Sequence, residues 1–195
     1  MSAMWIIIIV LAIIIIAGIV LYNNLVKART YTQESWSQID VQLKRRNDLI
    51  PNLVSTVKGY ATHEKETFEK VVELRNQLVD QESNPNPTSV DREQTMQLSN
   101  QLSGQLKSVF ALAENYPDLK ANTEFTKLME ELTNTENKIA YSRQLYNSSV
   151  ASYNIKLQTF PSNLVAGMTG FKSVNYLQVP EEETEVPKVS FDDQK

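Results

Sequence analysis

The chain has 195 residues, with 19 Lys+Arg against 23 Asp+Glu, one His and no Cys. Without cysteine there is no disulfide framework, thiolate metal site or thiol nucleophile, and one histidine excludes a multi-His metal centre within a single chain. Five glycines leave little for phosphate-cradling loops, and a net charge of −4 gives no footprint for nucleic acid.

The charge is unevenly spread. Residues 178–195 hold six acidic and two basic side chains, so the acidity sits in the tail and the rest of the chain is balanced. The tail's composition predicts disorder.

Met4 to Leu21 reads MWIIIIVLAIIIIAGIVL, with no charged or strongly polar side chain. As a helix it spans roughly 27 Å, close to the hydrocarbon core of a bilayer. Trp5 and Tyr22 stand at its ends, as interfacial aromatics do. A cleaved signal peptide calls for a basic start and a small-x-small cleavage site. Met1–Ala3 has no base and Leu21-Tyr22-Asn23 is a poor site, so residues 1–22 are read as a retained anchor. Lys27 and Arg29 follow the span and nothing basic precedes it, which by the positive-inside rule puts the rest in the cytoplasm.

Residues 23–177 read as helix. Strand-like alternation is absent and apolar residues recur at helical spacing. Trp36, Ile39, Leu43 and Ile50 form one stripe; Leu53, Val54, Val57, Ala61, Phe68, Val71 and Leu78 the next. Leu98, Leu102, Leu106, Val109 and Ala113 follow, and Phe125, Leu132, Ile139, Tyr146, Tyr153 and Phe160 recur every seven residues. Such narrow stripes suit long helices packed at shallow angles. Asn84-Pro85-Asn86-Pro87 marks a loop, Thr88–Asp91 a capping box, Tyr116-Pro117 a stop, and Asn122 or Thr123 the cap of the last helix, which Pro161 ends. The expected fold class is all-α: an N-terminal transmembrane helix, then an elongated antiparallel bundle of four segments near 24–46, 49–81, 89–115 and 122–160.

Pro51 makes one joint ambiguous, since it removes a backbone donor and disfavours helix at Ile50. Folding back at 47–50 is the favoured reading. A straight 24–81 helix would outrun the returning 89–115 helix and leave Trp36, Ile39 and Leu43 unpartnered. The alternative is a helix that continues through Pro51 with a kink, those residues meeting another subunit.

Polar residues interrupt the stripes at Glu64, Arg75, Glu136 and Arg143. A buried charge left unpaired costs several kcal/mol, roughly, so these four are expected to pair across helices, as a registry device or as a ligand pocket. Lys44-Arg45-Arg46 is the densest basic run and reads as a solvated helix C-terminus. His63-Glu64-Lys65-Glu66-Thr67 begins like a zinc-protease helix but has Thr where the second His belongs. No Gly-x-Ser-x-Gly elbow is present. No catalytic residue, cofactor, metal or small-molecule ligand is therefore expected. Phe160, Leu164, Val165, Met168 and Phe171 follow the last helix, either capping the bundle end or forming an exposed patch for membrane or partner contact.

Residues 36–78 (WSQIDVQLKRRNDLIPNLVSTVKGYATHEKETFEKVVELRNQL), with ENYPDLKAN, ELTNTENKIAYSRQLYN and FPSNLVAGMTGFK between 102 and 172, resemble the LemA family. So does Tyr22-Asn23-Asn24-Leu25-Val26. The resemblance covers nearly all of residues 22–191. It implies a bacterial membrane-anchored helical bundle without known enzymatic activity, and the expected location is the inner membrane, spanned once. The family's likeness to a magnetosome membrane protein implies membrane shaping or partner recruitment. The expected partners are the bilayer through residues 4–21 and other envelope proteins or a second copy. A scaffold is favoured over a lipid-remodelling protein, and both over a small-ligand sensor built on the Glu/Arg cluster.

Overall fold

The structure, a computed structural model, describes residues 2–60, 65–84 and 87–178. Among these residues there are helices and no strands: α1 (Ser2–Val57), α2 (Lys65–Glu82), α3 (Ser89–Ala113), α4 (Pro117–Lys120), α5 (Thr123–Gln158) and α6 (Ser162–Thr169). The outer half of α1, with α2, α3 and α5, makes an up-down-up-down bundle, the arrangement that short connections between antiparallel helices favour. α1 packs chiefly on α5, and α2 on α3.

The apolar window of α1 has a mean hydropathy of 3.4 and is not covered by any other part of the fold. It is long and apolar enough to cross a membrane. Burial begins at Leu25 and recurs at Thr32, Trp36, Ile39, Leu43, Arg46, Ile50, Leu53 and Val57, alternating by threes and fours from Trp36 onward. That is the seam of a shallow-angle helix pair. The facing seam of α5 sets Phe125, Leu132, Ile139, Tyr146 and Tyr153 at seven-residue spacing, with small Thr135, Ser142 and Ser149 between them. Thr135 and Ser149 hydroxyls donate to carbonyls of their own helix, Glu131 and Tyr146, which satisfies both inside the seam.

Helix ends follow local chemistry. Thr88 and Asp91 make a reciprocal capping box on α3, the Asp91 carboxylate accepting from the Thr88 amide at 2.7 Å. Those backbone and hydroxyl hydrogen bonds hold Asp91 below the usual carboxylate range. Asn122 Oδ1 accepts from the amides of Glu124 and Phe125 to open α5.

Two expectations are corrected. The chain does not fold back at 47–50: α1 is one helix of 56 residues with Pro51 inside it, about 84 Å long, and the reversal comes after Val57. Trp36, Ile39 and Leu43 nevertheless find intramolecular partners, because α5 runs back along them and supplies Ile139, Tyr146 and Val150. The carbonyl that Pro51 deprives of its helical donor is that of Asn47, and Arg75 Nε of α2 donates to it at 3.3 Å. Phe160 leaves the heptad line it continues in sequence: α5 ends at Gln158, and Phe160 is 79% exposed.

Arg75→Met is expected to cost about 1–2 kcal/mol in chemical denaturation by leaving that carbonyl short of a donor. In a Pro51→Ala background, where residue 51 again has an amide hydrogen, the same substitution should cost measurably less. Equal costs in the two backgrounds would show that the carbonyl is not what Arg75 serves.

Candidate functional site

The bundle core is two apolar clusters. The distal one contains Ile50, Leu53, Leu78, Leu102 and Leu132; the one nearer the apolar window of α1 contains Trp36, Leu43, Met96, Ile139 and Tyr146. A polar layer lies between them. Arg46, three residues from Leu43 and four from Ile50 on the α1 seam, has no exposed surface. Its Nη1 donates to Glu136 Oε1 at 2.9 Å and to Ser103 Oγ at 3.0 Å, and its Nη2 to Ser99 Oγ at 3.0 Å. The second carboxylate oxygen of Glu136 accepts from Ser103 Oγ at 2.7 Å. One guanidinium thus ties α1 to α3 and α5. Burial pushes its pKa down, and the Glu136 carboxylate opposes this.

The layer continues onto α2, where Asn47 Nδ2 donates to Glu82 Oε1 at 2.7 Å. Burial raises the pKa of the Glu82 carboxyl, and the Asn47 bond works against that rise. Below, the Trp36 indole meets Tyr146 edge-on with centroids 5.7 Å apart, and the Arg92 guanidinium lies 5.1 Å from the indole centroid. Asp40 is raised by burial, with Arg92 holding it back.

The four polar residues singled out in sequence do not form one cluster. Glu136 pairs across helices, but with Arg46, whose place in a basic run points to solvent. Arg143 donates to Asn100 of α3. Arg75 serves the Asn47 carbonyl and Asn76. Glu64 lies outside the described residues, as does His63. Glu136 and Arg143 do share a cleft of about 880 Å3 between α3 and α5, also lined by Asn100, Ser103 and Lys107. The signal for Arg46 is its heptad position: the three-four alternation through Trp36, Ile39 and Leu43 lands on it before Ile50.

A second arrangement has no counterpart among the sequence expectations. After α6, residues 171–177 have no regular secondary structure and run back along α5. Asn154 Oδ1 accepts from the Val174 amide at 3.1 Å while its Nδ2 donates to the Val174 carbonyl at 2.8 Å. Asn147 does the same for Leu177, at 2.9 and 3.0 Å. Tyr153 OH donates to the Lys172 carbonyl at 3.0 Å, and burial raises its pKa, keeping the phenol a donor. A primary amide offers a donor and an acceptor side by side, as a neighbouring strand would. Seven helical residues rise about 10.5 Å and three extended residues about 10 Å, so Asn147 and Asn154 match Leu177 and Val174 in step. The strap buries Leu177 against Trp36, Met96 and Tyr146. The Tyr-Asn pair repeated at 146–147 and 153–154 is its trace in sequence.

The sequence model of the LemA family matches residues 35–191. The chain belongs to the LemA family. This LemA-family chain is 28% identical to protein LemA of Metamycoplasma hominis, over 82% of its own length and 69% of that protein. It is 28% identical to magnetosome protein MamQ 2 of Paramagnetospirillum magneticum and 25% identical to magnetosome protein MamQ of Magnetospirillum gryphiswaldense. Each of those matches takes in 80% of this chain but 64% of the relative, so the chain spans less than two thirds of the magnetosome proteins it matches.

Arg46→Ala is expected to destabilise the chain by about 3–5 kcal/mol, because Glu136 and two serines lose a buried partner. Its neighbour Arg45 ion-pairs with Glu131 at 2.6 Å with both side chains about half exposed, so Arg45→Ala should cost under about 1 kcal/mol. Denaturation of both variants in detergent compares them directly. For the strap, Asn147→Ala with Asn154→Ala should speed hydrogen exchange at the Val174 and Leu177 amides and leave Ile139 unchanged; uniform acceleration would mean that the asparagines support the bundle instead.

Proposed function

We propose that the protein is a single-pass, membrane-anchored scaffold of the bacterial envelope that works by contact and makes or breaks no bond. The observation that carries this reading is the continuity of α1. The helix that carries the apolar window is the same helix whose seam organises the bundle, so an anchored bundle is held upright without a hinge. Its chemistry is that of a binding body. The one fully buried charge among the described residues serves its own architecture through Glu136, Ser99 and Ser103. The cleft between α3 and α5 offers amide, hydroxyl and cationic groups for a partner: another envelope protein or a second copy of the chain.

The proposed side is the cytoplasm. Lys27 and Arg29 follow the span, and the fold brings Lys156 and Lys172 to the same end of the bundle, which strengthens the positive-inside asymmetry. A second reading, in which the bundle acts on lipid, draws support from the apolar side chains exposed around α6 and from relatives named as magnetosome proteins.

Proximity labelling in cells, with the enzyme fused at the C-terminus, should tag cytoplasmic-facing neighbours, and crosslinking in membranes should trap defined partners or oligomers. A chain that crosslinks to nothing, or that turns over a substrate when purified, would overturn the scaffold reading.

A further inference from the structure

The register of the α1–α5 pair sets the height of every element above the span. Arg46 stands against Glu136, and ten residues along each helix Trp36 stands against Tyr146. Continued, that register sets the end of α5, Gln158, beside Asn24, about 4.5 Å above Leu21. Beyond Gln158 the chain has no room to descend without entering the level of the span. α6 lies across this base. Its start is tied to α5 by Ser162 Oγ, whose single hydrogen is shared between the carbonyl of Lys156 at 2.7 Å and that of Thr159, just past the helix, at 2.9 Å. Its end is tied to α1: Gly170 turns the chain at a φ of 73°, and Phe171 meets Tyr22 edge-on, centroids 5.7 Å apart.

The apolar group expected here divides in two. Val165 and Phe171 are half-buried against the bundle, with Ala166 buried beside them. Phe160, Leu164 and Met168 are 79%, 58% and 88% exposed. Leu164 and Met168, four residues apart on α6, share one face, and Phe160 is exposed in the turn just before the helix. The stretch 157–171 holds no charged residue and is bracketed by Lys156 and Lys172, both exposed. No Asp or Glu occurs before Glu34 or between 137 and 178, so the stretches of α1 and of residues 156–172 that frame the patch carry cations only. The chain's near-neutral body thus has a basic lower end, which attracts anionic headgroups.

We propose that α6 is an interfacial foot: Phe160, Leu164 and Met168 insert into the bilayer that α1 spans, with Lys27, Arg29, Lys156 and Lys172 at headgroup level. The occupant is lipid because the patch is continuous with the span through the Tyr22–Phe171 contact and is framed by cations, the pattern of a helix lying in an interface. The foot fixes the tilt of α1 with a second attachment, so the bundle stands at one angle to the membrane. The proposal rests on the membrane-spanning reading of α1.

The absence of native cysteine permits single-cysteine labelling of the full chain. Ile13→Cys, Met168→Cys and Val41→Cys would each carry an environment-sensitive fluorophore in vesicles of phosphatidylcholine and phosphatidylglycerol. Val41 is exposed on α1, about 30 Å above Leu21. The expected result is quenching at Ile13 by nitroxides deep in the acyl chains. At Met168, headgroup-proximal nitroxides should quench several-fold more strongly than at Val41, with shielding from aqueous iodide. Ile13 in lipid with Met168 behaving like Val41, or with Met168 shielded from iodide yet untouched by lipid nitroxides, would overturn the foot and leave the anchor standing. Ile13 open to iodide would overturn the anchor itself.

Discussion

The fold turns on one buried cation. Arg46 occupies a seam position of α1 where a leucine would continue the stripe, and its guanidinium spends its donors on Glu136, Ser99 and Ser103. An apolar seam tolerates slippage by a heptad, because one leucine layer resembles the next. A buried charge that must meet one particular partner does not, and registry is the best-attested role of such pairs. Here the pair divides the core into two clusters and fixes α5 against α1 along their shared length. Small residues across from it, Ser99 and Ser103 on α3, leave room for the guanidinium and accept from its two terminal nitrogens.

That fixed register has consequences at both ends. Distally it lets α1 run through Pro51 to Val57, since α2 supplies Arg75 to the carbonyl that proline leaves unserved. A helix break would have been the cheaper solution only if no neighbour could reach that carbonyl. At the other end it sets where α5 stops, hence where α6 crosses and where the strap begins its return. The strap is held by amide side chains that copy a strand edge, and it closes the lower core over Trp36 and Tyr146.

The same geometry links architecture to the proposed role. In the proposed role α1 serves as both anchor and bundle helix, so the bundle would take its orientation from the span, and a foot at the base would remove the remaining freedom to tilt. A partner meeting the α3–α5 cleft would then find it at a set height and facing. Contact of this kind needs shape and complementary polarity, and no activated nucleophile or metal.

Much is legible in the residues themselves. The unbroken apolar run from Met4 to Leu21, the seven-residue recurrence in α5, and the caps at Thr88 and Asn122 are local signals, and they establish the helical class, a helix long and apolar enough to cross a membrane and several of the boundaries. All of these signals rest on hydropathy, periodicity and short-range hydrogen bonding, which are carried by neighbours in sequence. Three things are not legible. The meaning of Pro51 depends on Arg75, 24 residues away. The partner of Glu136 depends on which helix lies beside it. The orientation of Phe160, Leu164 and Met168 depends on where α5 ends against α1. Each is a question of which distant groups share a small volume, and burial and charge pairing are settled only when the helices have packed.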